Sequence, residues 1–496
     1  MFDFFKSLST VKGYVYNIWS PKGVIDQFAY PVMRDYFPEQ MEQLEGWTKA
    51  GATSAEVVRI FEEVRGGKQN EDIELDRNDQ WFLDLATKKV RCLLGDWKVQ
   101  PLGLDDAMLR LHPDTSAGFG YQGKKKSEVF EEIRKQAKDL EVKAKEHAKI
   151  NPLPCLLGTR GALHRETDPK RRIIYNVPSA QVALEQCFVG PLIDKAKQSP
   201  NYPIMFGKNV IPRLSEMNVK HAHPRGSHAV QLDVKSFDRN LRTATLRRGF
   251  TVMEDMIDFD TWKGTQLGES KKRRWKRVWD YTVYYFLHTP VMLPDGKIEF
   301  LDGSVPSGSG YTQFIESICS LIMFMFFALK YAVPVIDLKS LGDDLKAIVM
   351  GRPDIKLIEQ VYGEIFFAVI NTKKTRFVRA DAGGQEFLGY RLNKGFLKRD
   401  SFEWFNLMLH PENEVKDLPT SFSRLTAYMF LGGVNDNEFS RFYETFQSCW
   451  PIENWDFVMT KDIKTKMLYG GLEFTLKKLL EYKRSDFVWS LITFKD

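Results

Sequence analysis

Two β-prone runs flank Gly342, Asp343 and Asp344 in VIDLKSLGDDLKAIVM (Val335 to Met350). That pattern predicts a hairpin with the three residues at its tip. Upstream, AVQLDVKSFDRN (Ala229 to Asn240) sets Ala229, Gln231 and Asp233 in alternation with Val230, Leu232 and Val234. Such alternation predicts a strand that delivers Asp233 at its carboxyl end, with Asp238 on the turn past a bend at Lys235 and Ser236. Between these segments Pro306 stops a strand, Ser307, Gly308, Ser309 and Gly310 make a flexible loop, and an apolar run from Tyr311 onward predicts a buried helix. Its most apolar part, Ile318 to Leu329, falls short of the roughly 20 residues a bilayer requires, so no membrane segment is expected. Glu128 to His147 and Ser179 to Lys197 read as helices. Residues 1 to about 110 read as mostly helical around charged stretches such as Glu62 to Arg77.

Composition narrows the class. A chain of 496 residues exceeds what one hydrophobic core usually supports, so two or three subdomains are expected. The net charge of +6 is mild, which makes any polyanion site a local patch rather than a whole surface. Five cysteines (Cys92, Cys155, Cys187, Cys319 and Cys449) are scattered without pairing pattern, which argues against a disulfide framework or zinc site and fits a reducing compartment. Asp3 and Lys6 interrupt the aromatic N-terminus where a secretory signal would be apolar.

The acids carry the candidate chemistry. Adjacent carboxylates repel unless a cation lies between them, and hard oxygen ligands suit Mg²⁺. A lone Gly-Asp-Asp arises by chance in roughly one chain in ten of this length, so the metal reading needs the second acidic site that Asp233 and Asp238 provide.

Cations fall in three stretches. HPDTSAGFGYQGKKKSE places Thr115, Ser116, Gly118 and Gly120 in a small-residue loop before Lys124 to Lys126, where backbone can approach phosphate; a plain surface loop is the competing reading. GTRGALHRETDPKRRIIYNVP crowds Arg160, Arg165, Lys170, Arg171 and Arg172 ahead of Ile173 and Ile174. Alternation there points Lys170 and Arg172 to one face and Arg171 to the other, suiting a triphosphate or a protected sheet edge. The third run, Lys271 to Arg277 with Trp275 and Trp279 close by, reads as a solvated helix face or a nucleic-acid-facing one.

Taken in order, a strand with DxxxxD, PSGSGxT opening a buried helix, and a Gly-Asp-Asp hairpin resemble the palm of viral RNA-dependent RNA polymerases. They match that family's motifs A, B and C. DPKRRII is similar to its motif F, DTSAGFGY to motif G, FFAVINTKKTRF (Phe366 to Phe377) to motif D and EFLGYRL (Glu386 to Leu392) to motif E. The likeness covers roughly Thr115 to Leu392 and is nearest to the polymerases of partitiviruses and picobirnaviruses, double-stranded RNA viruses of the picornavirus-like group.

The resemblance implies an α/β (α+β) right hand whose palm is an antiparallel sheet backed by helices. Residues 1–210 would form the N-terminal region and fingers, 211–255 palm, 256–290 a basic insertion in the fingers, 291–396 palm and 397–496 thumb. It implies template-directed RNA synthesis from ribonucleoside triphosphates. Asp233 and Asp343 would ligate two Mg²⁺ ions, replaceable by Mn²⁺, with Asp344 beside them. Lys373 or Lys374 would protonate the leaving pyrophosphate. Arg160, Lys170, Arg171 and Arg172 would hold the triphosphate, while Asp238, Ser307, Gly308, Thr312 and Glu316 would surround the sugar. Thr115, Ser116, Gly118, Lys124 and Lys125 would contact RNA, single- or double-stranded. A capsid protein is a further implied partner, and the virion interior and host cytoplasm the implied location.

Glu316 departs from many positive-strand relatives, which carry Asn there. An ionised Glu accepts hydrogen bonds and cannot donate, so sugar reading is expected to differ. Three rivals fit less well. A reverse transcriptase carries a bulky residue where Asp238 stands and another before its Asp-Asp. A non-enzymatic RNA-binding protein has no need of Asp233, Asp343 and Asp344 together. A metal-dependent phosphohydrolase wants His ligands, and the eight histidines show no ligand spacing.

Overall fold

A computed structural model describes residues 3–6, 10–11, 14–65, 74–199, 201–206, 214, 223–380, 385–393, 396–450, 456–460, 463–464 and 487. Val335–Leu341 and Asp344–Met350 pair antiparallel with Leu341 opposite Asp344, leaving Gly342 and Asp343 as a two-residue turn. Gly342 holds φ at +65°, a conformation that residues with a Cβ rarely adopt. Ser227–Leu232 pairs antiparallel with Asp344–Met350, and Arg376–Arg379 flanks it, so four described strands make this sheet. Its outer strand is covered where Pro203 to Met205 exchanges backbone hydrogen bonds with Ser340, which shields an otherwise unpaired edge.

Alternation along these strands divides the two faces. Leu345, Ala347, Val349, Val230 and Leu232 join a large core around the helix Thr312–Lys330, while Ala229, Ile348 and Ala380 form a small cluster on the other side. Arg77–Leu93 and Thr243–Asp255 also pack on that helix. Complete burial of Phe314, Ile315, Ile318, Leu321 and Phe324 stabilises it by roughly 1.5–3 kcal/mol per side chain. The helix runs 19 residues and by composition is apolar enough to cross a bilayer, longer than the run read from sequence. Here protein surrounds it. Ser317, in its interior, accepts a hydrogen bond from the Gly342 N–H at 2.8 Å and so ties the helix to the turn.

A second sheet runs in the order Arg172–Asn176, Cys155–Arg160, His288–Met292, Ile298–Asp302. Cys155 and Leu156 pair in parallel with Val291 and Met292. Residues 291–302, grouped with the palm on sequence, therefore belong to the sheet of 155–176, because their hairpin satisfies that sheet's backbone. The basic insertion is the helix Glu269–Leu287. Trp279 is fully buried, and Trp275 stacks on Trp262 with ring centroids 4.9 Å apart. Lys272 pairs with Asp260 and Glu269, and Lys276 with Glu254 and Asp280. Its tryptophans serve packing and these two cations are already neutralised.

The third unit is the short sheet Gln385–Phe387, Tyr390–Asn393, Phe396–Lys398, followed by the helices Ser401–Leu409, Leu418–Phe430 and Asn437–Cys449 around Trp404, Phe405, Phe422 and Phe439. Ala29–Tyr36 and Pro38–Leu44 pack into the same core, so this part of the N-terminal region joins the C-terminal helices rather than the fingers. Asp26 and Arg424, both buried, form an ion pair at 2.5 Å that fixes the chain leading into it. Residues 66–73, 211–213, 215–222, 451–455 and most of 461–496 lie outside the described residues.

Candidate active site

Leu232 lies opposite Leu345, so Asp233 and Asp344 emerge at the same end of the palm sheet. Asp233 is anchored through its backbone: its N–H donates to Thr375 Oγ1 at 3.3 Å, and its carbonyl accepts from Asn371 N–H at 2.8 Å. The turn Asn371 to Thr375 thereby carries Lys374 to 3.8 Å from Asp233 Oδ2. Ser236 takes a left-handed φ of 48°, a strained value for a residue with a side chain, and starts the short helix Phe237–Asn240 that places Asp238. The Asp238 carbonyl accepts from Val305 N–H at 2.8 Å, joining the acidic turn to the segment before the Ser-Gly loop.

Asp343 and Asp344 are both raised. Asp343 is pushed up by loss of hydration and then by Asp238 and Asp233. Asp344 is pushed up to about 7 by loss of hydration, by Asp343 and Asp233, and by Glu386 of the EFLGYRL stretch. Both side chains remain open to solvent at the sheet end, so water screens part of this repulsion. Among the described residues no three His, Cys, Asp or Glu side chains gather tightly enough to cage an ion. The set fits Mg²⁺ nonetheless, because that ion takes one or two carboxylates and fills its shell from water and substrate phosphate.

Glu316 lies in the field of these acids. Loss of hydration, then Asp238 and Asp343, hold its carboxyl well above the usual range. It sits under the hairpin, with Oε2 3.3 Å from where a Cβ on Gly342 would stand. Loss of hydration there favours the neutral form of Glu316, the form that can donate a hydrogen bond.

The cations separate into those that face the acids and those already engaged. Lys170 is drawn down by loss of hydration and by Arg172 and Lys374, against the pull of Asp233 and Asp343, which places it in the same field. The strand starts at Arg172, so Lys170 and Arg171 precede it rather than alternating on it. Arg171 pairs with Glu56 at 3.1 Å and Arg160 with Glu412 at 3.1 Å. In this arrangement each guanidinium is engaged by a carboxylate in an exposed or partly exposed pair. Lys170 and Arg172 make no side-chain ion pair among the described residues.

Ser307 and Gly308 approach the same strand. Tyr175 N–H donates to Ser307 Oγ at 3.2 Å, and a Cβ on Gly308 would lie 2.2 Å from the Tyr175 carbonyl oxygen, so only glycine fits. Thr312 Oγ1 donates to the Pro306 carbonyl at 2.7 Å. Ser307, Gly308, Thr312 and Glu316 share a cavity of about 1730 Å³ with Arg160, Thr115 and Ser116. From the lysine run it is Lys126 that lines this cavity, not Lys124 or Lys125. Lys125 stands 3.8 Å from Asp114, and Gly118 is buried against Pro178, where it shapes the loop.

The family model for viral RNA-dependent RNA polymerases matches residues 94–447. The chain belongs to this polymerase family. The RNA-directed RNA polymerase of Cryptosporidium parvum virus 1 is 24% identical over 230 residues, covering 46% of this chain and 41% of that protein. That of White clover cryptic virus 1 is 22% identical over 308 residues, covering 57% and 50%. The matches thus span about half, or less, of the curated relatives' length. The crystal structure of the polymerase of a human picobirnavirus superposes with a TM-score of 0.65 at 14% identity, over 87% of this chain and 84% of that one. Its insertion-loop deletion mutant gives 0.63 over 86% and 87%. At such identity the likeness is one of fold, and it is the right hand that the motif order implies.

Within this polymerase fold, motif reading overlooked two groups at the nucleotide side. Gln313 lines the cavity one residue after Thr312. Glu185 is fully buried and touches the Ser-Gly loop directly. The signal for Glu185 was present: a lone acid inside the apolar stretch SAQVALEQCFVGPLI.

Proposed function

We propose that the chain carries out template-directed RNA synthesis, replicating and transcribing a viral RNA genome by two-metal nucleotidyl transfer from ribonucleoside triphosphates. The main support is the convergence of Asp233, Asp343 and Asp344 at one sheet end within the electrostatic reach of Lys170, Arg172 and Lys374. Asp233 and Asp343 would hold Mg²⁺, or Mn²⁺ in its place, with Asp344 beside them. When bound, such ions supply positive charge at the reacting phosphoryl group and its leaving oxygen.

The chain's own groups position the reactants. Lys170 and Arg172 bind the triphosphate. The primer 3′-hydroxyl gives its proton to solvent and its oxygen forms a bond to the α-phosphorus as the bond from that phosphorus to pyrophosphate breaks, and Lys374 is placed to give the pyrophosphate a proton. Asp238 and Glu316 receive the ribose, beside Ser307, Gly308 and Thr312. Thr115, Ser116 and Lys126 meet the template in the shared cavity.

On this reading fingers, palm and thumb would succeed one another along the chain, with 291–302 grouped with the fingers and 29–44 with the thumb. Single-stranded template, double-stranded product, ribonucleoside triphosphates and a capsid protein are the partners, in virion interior and host cytoplasm. The test is synthesis on single-stranded RNA with labelled ribonucleotides and Mg²⁺, run with and without an annealed primer. Template-length product is expected. No product in either reaction would contradict the proposal.

A further inference from the structure

We propose that Glu185, on the helix Ser179–Gln198, is a positioning residue that holds the Ser307–Gly310 loop in the shape that selects the nucleotide. The inference rests on the polymerase reading above and adds to it a residue outside the motifs.

Glu185 is fully buried, yet no cation is among the groups that set its charge. The titratable groups whose fields reach it are Tyr281, Tyr285, Tyr311 and Cys155, all held neutral by burial. A buried carboxyl without a counterion is costly unless its oxygens are used. Here they are. Oε2 accepts from Ser309 Oγ at 2.7 Å and from Gly310 N–H at 2.6 Å, and Oε1 accepts from Gln181 Nε2 at 3.1 Å.

The loop is clamped from both sides. Tyr175 fixes Ser307 and Gly308, while Glu185 fixes Ser309 and Gly310. Of the cavity-lining residues, Ser307 and Gly308 are held by the first anchor and Thr312 follows directly on the second. Without the Glu185 oxygen, two loop donors lose their partner and that anchor is gone. The geometry also says which substitute should work. Gln181 Oε1 is buried with no hydrogen-bond partner. In Glu185→Gln the amide oxygen can take the place of Oε2, and once the Gln181 amide turns over, so that Oε1 rather than Nε2 faces position 185, the new NH₂ can donate to it.

The experiment measures single-nucleotide addition on an annealed primer–template with Mg²⁺ for wild type, Glu185→Ala, Glu185→Gln and Ser309→Ala, together with RNA affinity. Glu185→Ala is expected to lose about 10- to 100-fold in kcat/KM, mainly through KM for the nucleotide, as loss of positioning does. Its preference for ribonucleotide over the 2′-deoxy analogue should fall too. Glu185→Gln should stay within about threefold of wild type, because the acceptor geometry survives. Ser309→Ala, which leaves the buried helix intact, should shift KM in the same direction, and it decides the matter if Glu185→Ala does not fold. Wild-type KM and sugar preference in Glu185→Ala, or in Ser309→Ala if only that variant folds, would overturn the inference and leave the polymerase reading standing. Glu185→Gln as impaired as Glu185→Ala would also overturn it. A wild-type protein that adds no nucleotide would overturn the reading and the inference together.

Discussion

The Lys374 ammonium stands 3.8 Å from the Asp233 carboxylate, while its neighbour Lys373 makes no side-chain ion pair among the described residues. The turn explains the difference. Lys374 N–H donates to the Asn371 carbonyl at 3.1 Å, and Asn371 N–H in turn donates to the Asp233 carbonyl. Sequence left the two lysines equivalent; backbone hydrogen bonding aims one of them at the acids.

Lys374→Ala is therefore expected to lower kcat by about a hundredfold, within the usual range for a lost proton donor, with little change in nucleotide KM. Lys373→Ala should stay near wild type. Pre-steady-state single-nucleotide addition measures both, and equal losses would remove Lys374 from the proton-donor role.

A second prediction concerns stability in the absence of divalent ions. An unfolded Asp titrates near 3.9, roughly, whereas folded Asp344 is held up to about 7. Between those values the fold binds a proton that the unfolded chain has released. Stability should then fall as pH rises from about 4 to about 7. Asp344→Asn should raise Tm by about 2 °C at pH 8 without metal, a small figure because solvent screens the site. Mg²⁺ should raise wild-type Tm more at pH 8 than at pH 6. A lower Tm in Asp344→Asn would mean that favourable partners, not repulsion, govern this carboxyl.

How much of this was legible in the sequence depends on the range of the interaction. The Gly-Asp-Asp turn and the Asp233 strand were readable because alternation and a positive-φ glycine are local. Pairing partners were not. Arg160 meets Glu412 and Arg171 meets Glu56 only because distant segments fold together, and both arginines had been assigned to the triphosphate. The hairpin at 288–302 joins Cys155 and Leu156 for the same reason. The raised titration of Glu316 follows from lost hydration beside Asp238 and Asp343, which no local window reveals.

Lys170→Ala and Arg172→Ala should each raise nucleotide KM by about tenfold, as loss of one charge-assisted phosphate contact does, while template affinity changes little. The check is KM from single-nucleotide addition beside an RNA-binding titration. Equal loss of both properties would make this a general RNA-binding strand.

Sugar selection gives a paired test. A 2′-hydroxyl can donate to Asp238 and bond with Glu316 beside it, and a deoxyribose leaves both groups unsatisfied. Each lost bond is worth roughly 1–3 kcal/mol, or about ten- to a hundredfold in discrimination. Asp238→Ala and Glu316→Ala should therefore lower the ribo-to-deoxyribonucleotide ratio of kcat/KM, and Glu316→Gln should preserve it. An unchanged ratio in Asp238→Ala would remove that residue from sugar reading.

The central claim is that Asp233 and Asp343 serve the chemistry while Lys and Arg hold the nucleic acid and nucleotide. It is tested most directly by labelled ribonucleotide incorporation on primed single-stranded RNA with Mg²⁺, measured beside RNA affinity, in wild type, Asp233→Ala and Asp343→Ala. Both variants are expected to lose incorporation entirely and to keep RNA affinity within about threefold, since cations carry that affinity. Near-normal synthesis by either variant would contradict the account.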